Sequence, residues 1–184
     1  FDLFNIEQEY DDFDRNSTGL NLRTSMPFRE WDFTRLHLTY RLESIDIKLQ
    51  DDEDDVPLSI SEQEGTSSVS SIITALIKDS RDDHWAPRKG MYNSASVEFA
   101  GLGGDGRFIT AIASAAKYFP VLQDCSFMLR GTIGQIFPYM GEDIPISEKF
   151  FLGGMNSLRG FEARSVGPRE KRRRPKPGDP DYDP

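Results

Sequence analysis

The chain has one cysteine and two histidines in 184 residues, and that scarcity removes several kinds of chemistry at once. A single thiol makes no internal disulfide, and no metal or redox companion stands near Cys125, so it is expected simply to pack. His37 and His84 lie far apart, without partners for a metal site or a catalytic triad. There is no Gly-x-Ser-x-Gly elbow. Gly101-Leu-Gly-Gly-Asp-Gly106 is rich in glycine but lacks the Lys-Ser/Thr of a phosphate loop, and it fits a tight hairpin better. No apolar run reaches the ~18 residues of a membrane helix. Positive charge is also short: 22 basic against 31 acidic residues give a net charge of -9, which disfavours general nucleic-acid binding. No catalytic residue, cofactor or metal is expected, and the chain does not read as an enzyme.

What is present is alternation. Hydrophobic residues make up 37% of the chain and mean hydropathy is -0.54, yet the apolar residues recur at every second position instead of in helical stripes. Over residues 33–46, Leu36, Leu38, Tyr40 and Leu42 share one face while Arg35, His37, Thr39, Arg41 and Glu43 share the other. Leu20, Leu22, Met26 and Phe28 oppose Asn21, Arg23 and Ser25. Ala95, Val97 and Phe99 oppose Ser94, Ser96 and Glu98, and Phe127, Leu129, Ile133 and Phe137 oppose Ser126, Arg130 and Thr132. Weaker alternation covers residues 66–80 and 107–119, and a further strand is expected over residues 1–9, with Phe4, Ile6 and Tyr10 on one face.

These seven candidate strands are long. Ten residues at about 3.3 Å each, tilted near 45°, span roughly the 25 Å of an outer-membrane hydrocarbon band. Connections at residues 27–32, 79–90 and 119–125 alternate with a second set at 11–17, 48–65 and 101–106. Aromatics gather near strand ends (Phe28 and Trp31, Trp85, Tyr118 and Phe119, Phe137 and Tyr139), as in a girdle at lipid headgroups or at the edge of a sandwich. An open seven-strand sheet would leave edges exposed to lipid, so the chain is expected to be a piece of a larger barrel. Its start, Phe1-Asp-Leu-Phe, has neither the basic nor the apolar region of a signal peptide.

After the last strand comes Phe150-Phe-Leu-Gly-Gly-Met-Asn-Ser-Leu-Arg-Gly-Phe161, then Gly167-Pro168. It sets a cation between a Gly-Gly pair and a Gly-aromatic pair with no regular period. A guanidinium held there calls for a carboxylate or carbonyl cage. The segment resembles the sixth extracellular loop of the BamA-type outer-membrane assembly and translocation proteins (the bacterial surface antigen family). That loop's hallmark is a hydrophobic residue followed by Arg-Gly-Phe or Arg-Gly-Tyr, here Leu158, Arg159, Gly160 and Phe161. The segment at residues 19–28, ending in Pro27-Phe28, is similar to a family strand that ends in a proline turn. The segment at 82–90, with Pro87 and Gly90, is similar to the family's aspartate-to-proline-glycine turn. Leu158 stands where Val or Ile is commoner, and a basic, proline-rich second half follows the motif, which leaves the subfamily open.

The resemblance implies an all-β fold: an antiparallel transmembrane β-barrel fragment. Residues 1–137 would supply the fifth to eleventh of sixteen strands, and residues 138–184 the loop. POTRA domains and the remaining strands would lie outside the chain. It further implies assembly of other β-barrel proteins into a bacterial outer membrane, with nascent outer-membrane proteins and accessory assembly lipoproteins as partners. A related translocation or two-partner secretion transporter, or the barrel anchor of a fused lipase-like enzyme, are the alternatives. A passive porin or a soluble β-sandwich binding module is a third reading. In that family the loop folds into the lumen. Arg159 would then be its anchor, Gly160 the point of close backbone approach and Phe161 a packing wedge, with Gly153 and Gly154 turning the loop back and the partner carboxylates beyond Pro184. The run Lys171, Arg172, Arg173 and Arg174 could meet the phosphates of lipopolysaccharide or be an exposed loop tip. Asp51-Asp-Glu-Asp-Asp55 lacks the spaced ligands and Gly turn of a calcium loop and reads as solvated.

Overall fold

The computed structural model describes residues 1–9, 13–49, 65–122, 125–140, 144–155, 157–161 and 166. Tyr10, the acidic run at 51–55, Gly167, Pro168 and the basic run at 171–174 lie outside them. The described chain forms seven strands: β1 (Asp2–Glu9), β2 (Phe13–Pro27), β3 (Thr34–Leu49), β4 (Gly65–Asp79), β5 (Gly90–Gly104), β6 (Phe108–Leu122) and β7 (Cys125–Pro138). A single 3-10 turn follows at Ile146–Glu148. All seven strands pair antiparallel with their sequence neighbours in one sheet of order β1-β2-β3-β4-β5-β6-β7. No described helix is long and apolar enough to cross a membrane.

The strands are longer than the alternation suggests. β2 to β7 run 14 to 16 residues, so a tilted strand rises roughly 35 Å, beyond the hydrocarbon band at both ends. Several expected connections shrink accordingly. β2 already begins at Phe13, inside the stretch expected to be a loop to residue 17, because its first residues are polar on both faces and carry no period. β5 likewise takes up most of the glycine segment. Gly101, Gly103 and Gly104 have φ of 127°, 145° and 90°, and they absorb a register shift in which β4 partners jump from Ala100 (with Ser71) to Gly104 (with Val69). The hairpin turn is left to residues 105–107, where the Asp105 and Gly106 N–H groups donate to the Ser68 carbonyl at 2.8 and 3.1 Å.

Register fixes which side chains share a face. Ser17 is opposite Ile45, Arg41 opposite Ser71, and Ser71 opposite Ala100. On this face lie most of the buried residues among those described, including Ser17, Glu43, Ile45, Ile47, Val69, Ser71, Ala100 and Phe108. The other face carries the leucines and aromatics that alternation assigns to it, and many are open: Leu42 is 45% exposed, Val97 51%, Leu129 63% and Ile133 73%, while Leu20, Leu36 and Tyr40 are half-buried. Cys125, expected to pack, is exposed at the start of β7, at a turn beside an edge strand where nothing covers it among the described residues. Aromatic pairs mark the strand ends, Phe28 with Trp31 at 5.4 Å and Phe99 with Tyr139 at 5.4 Å between centroids. Phe4 and Ile6 sit on the buried face. The Phe4 ring fills the space over Gly19, where an added Cβ would come within 2.6 Å of Cζ.

Candidate functional site

The buried face divides into two zones. Toward the β5–β6 turn, Ile45, Ile47, Val69, Ala100 and Phe108 form a small apolar cluster with Ile136 packed against it. Next to it is a charged network built on β2, β3, β4 and β5. Arg41 reaches Glu43 (3.3 Å) on its own strand and Glu98 (2.7 Å) on β5. Arg15 on β2 meets Glu43 at 3.0 Å and donates to Gln8 at 2.9 Å. Ser17 Oγ donates to Glu43, and Ser71 Oγ donates to Glu98 at 2.6 Å while accepting from Arg41 Nε at 3.3 Å. All four ionised side chains are less than a fifth exposed. Period 2 places Arg41, Glu43, Ser71 and Glu98 together because each faces the same way on adjacent strands.

A fifth charge comes from outside the sheet. The Glu148 N–H donates to the Pro145 carbonyl at 2.9 Å, closing the 3-10 turn, and the turn aims its carboxylate at Arg41 Nη2, 3.1 Å away. The network thus holds two guanidiniums and three carboxylates. Burial is the largest influence on Glu148 and pushes its carboxyl above the usual range; Arg41 pulls it down, while Glu98 and Glu43 push it up again. Two residues on, the Phe150 ring lies over Gly134 of β7, where a Cβ would come within 2.8 Å of it.

Beyond this root the loop closes on itself. Leu152 and Val166 exchange N–H···O bonds of 3.3 and 3.1 Å, and the Gly154 N–H donates to the Phe161 carbonyl at 3.0 Å. Ser157 Oγ both accepts from the Gly153 N–H (2.9 Å) and donates to the Gly153 carbonyl (2.8 Å). Gly153, Gly154 and Gly160 have φ of 110°, 92° and 92°, the left-handed region that such a reversal needs. Leu158, Arg159 and Phe161 are exposed, and no partner carboxylate meets Arg159 among the described residues. At the opposite rim, the turn at residues 80–89 is pinned by two carboxylates. Asp82 accepts from the N–H groups of Asp83, Arg88 and Lys89 at 3.0 to 3.1 Å, and Asp83 from those of Trp85 and Ala86 at 2.7 and 2.9 Å. Both are held below the usual carboxylate range by these backbone donors.

A sheet with leucines open on one face and buried ion pairs on the other has the inverse of a soluble protein's pattern, and such a charged face must be turned away from hydrocarbon. The Omp85 superfamily domain matches residues 2–181. The chain belongs to the Omp85 superfamily. Among its relatives, the outer membrane protein assembly factor BamA of Nitratidesulfovibrio vulgaris (strain Hildenborough) is 30% identical over 168 residues, covering 90% of this chain and 21% of that protein. BamA of Neorickettsia risticii (strain Illinois) is 35% identical over 140 residues, 76% of this chain and 18% of that protein. The mouse sorting and assembly machinery component 50 homolog is 32% identical over 114 residues, 61% and 24% of the two chains. The chain therefore spans about a fifth of the curated Omp85 relatives it matches. The crystal structure of BamA from Haemophilus ducreyi lacking POTRA domains 1–3 superposes with a TM-score of 0.72 at 15% identity, over 90% of this chain and 34% of that one. That likeness shows the fold: the seven antiparallel strands match part of a transmembrane β-barrel, in which a charged face is turned from hydrocarbon toward the lumen.

Proposed function

We propose that the chain is a section of the wall, residues 1–137, and of the lumen loop, residues 138–184, of an outer-membrane protein assembly factor. The complete barrel folds and inserts other β-barrel proteins into a bacterial outer membrane, without nucleotide or covalent chemistry. The observation that carries this reading is the inverted sheet of an Omp85 member with a loop residue, Glu148, paired to its lumen face. The names of the relatives support assembly as the activity, and the bacterial members support the bacterial membrane over the mitochondrial one. Nascent outer-membrane proteins are the substrates, with accessory lipoproteins as partners. The loop tip, with Leu158, Arg159, Gly160 and Phe161, engages carboxylates elsewhere in the barrel, and Lys171 to Arg174 meet lipopolysaccharide phosphates. The test is reconstitution of the complete protein in lipid vesicles with an unfolded outer-membrane protein. Accelerated insertion is expected. Steady ion conductance with no acceleration would identify a passive pore and overturn the proposal.

A further inference from the structure

We infer that Glu148 is a positioning residue, a root latch that fixes the loop after β7 to the β3 wall through Arg41, independently of the Arg-Gly-Phe tip. The functional weight of this latch rests on the assembly reading above; the latch itself rests on geometry.

Two contacts of different kinds, two residues apart, help to hold the root. One is the ion pair of Glu148 with Arg41, at 3.1 Å and with both side chains less than a fifth exposed. The other is the Phe150 ring on Gly134, a position on β7 that leaves room for it because it has no side chain. Arg41 is 107 residues away in sequence, and β3 and β7 are separated by three strands in the sheet, so together the contacts join the loop to two distant strands. The tip lies beyond the Leu152–Val166 bridge and takes no part in either contact. The wall is prepared for this visitor. Glu43 is already satisfied by Arg15 and Ser17, and Glu98 by Ser71, which leaves an Arg41 nitrogen, shared with Glu98, to hold the loop carboxylate. Glutamine at 148 would keep the oxygen that accepts from Arg41 Nη2, whereas alanine would remove it.

The experiment uses the complete protein in detergent and follows tryptic cleavage after Lys149, the bond next to the latch, in barrels shown to be folded by heat-modifiable gel mobility. Glu148→Ala is expected to speed cleavage about tenfold or more, since removing one partner of a part-buried ion pair is worth at least one decade in an equilibrium. Glu148→Gln is expected to keep most of the protection. Arg41→Met leaves the cleavage-site sequence intact and is expected to speed cleavage at least as much as Glu148→Ala, and adding Glu148→Ala to it to bring no further gain. Cleavage at the parent rate in folded Glu148→Ala protein, or fully additive single variants, would overturn the latch. Faster cleavage with unimpaired outer-membrane protein assembly would leave the latch standing and sink the assembly role given to the loop.

Discussion

The root and the tip of the loop after β7 both carry one decisive charge, and the protein treats the two in opposite ways. Glu148 at the root is part-buried against Arg41 within a network of five ionised groups. Arg159 at the tip is exposed on a hairpin whose hydrogen bonds among the described residues are internal to it. The contrast shows where each part of the loop obtains its order. The root takes its order from the wall the chain itself supplies, whereas the described bonds at the tip are internal to the hairpin. An arginine presented on a preformed hairpin loses less entropy on pairing than one on a slack loop.

The largest effect should come from the hub on which the root depends. Arg41→Ala leaves Glu43, Glu98 and Glu148 with Arg15 as the remaining guanidinium of the network, and should destabilise the barrel by about 3–5 kcal/mol. The measurement is the urea midpoint for loss of heat-modifiable mobility in the complete protein, and an unchanged midpoint would mean that the network does not bind wall and loop together. A second, smaller effect contrasts the two faces. Ile133→Arg places a charge among lipid tails and should cost about 2–4 kcal/mol near the bilayer midplane. Thr132→Arg, one residue away on the lumen face, should cost little. Equal effects would contradict the assignment of faces.

Much of this contrast is legible in the amino-acid sequence, and the part that is not has a physical reason. Alternation over residues 33–46 puts Arg41 and Glu43 on one face, and that over 94–99 puts Glu98 on a polar face, so three of the five charges are visible from period alone. Arg15 escapes because the start of β2 is polar on both sides, and a strand without contrast looks like a loop. Phe4 and Ile6 have a sound period, yet a period does not say which face of the sheet it belongs to; the pairing of Phe4 with Gly19 does. Glu148 carries no signal at all. It is a lone acid in an aperiodic loop, and its partner is 107 residues away. The Arg-Gly-Phe motif, by contrast, is conspicuous because glycines at left-handed positions leave a compositional mark, although composition says nothing of what the arginine meets.

A smaller perturbation separates the two supports of the root. Gly134→Ala forces a Cβ to within 2.8 Å of the Phe150 ring; the ring end can shift, so about 1 kcal/mol of docking is the expected loss. The loop should then be cleaved a few-fold faster after Lys149, with the barrel midpoint unchanged. If Gly134→Ala exceeds Glu148→Ala, the aromatic contact and not the ion pair is the main hold. At the far rim, the pinned turn responds to acid in a known sense. The Asp82 and Asp83 carboxyls are lowered by backbone N–H donors, so their contribution is fully present above the usual carboxylate value of about 3.9 and is lost as pH falls through the lowered values. Amide exchange at Arg88 and Lys89 should therefore quicken in acid, after correction for intrinsic rates, and Asp82→Asn should flatten that dependence.

The smallest change in stability, and the sharpest test of the contrast between root and tip, belongs to Arg159→Ala. The side chain is exposed, and within the described residues it contacts no carboxylate, so this chain's own contribution to barrel stability should shift by no more than about 0.5 kcal/mol, as for ordinary surface positions. The Leu152–Val166 bridge and the Ser157 bonds do not involve the guanidinium, so the hairpin should also survive, and cleavage after Lys149 should stay at the parent rate. Assembly of outer-membrane proteins should nevertheless fall if the tip engages carboxylates elsewhere in the complete barrel. A large drop in the urea midpoint would show that the tip, like the root, is a structural tie; normal assembly in a folded Arg159→Ala barrel would remove its anchoring role and leave Glu148 as the charge that positions the loop.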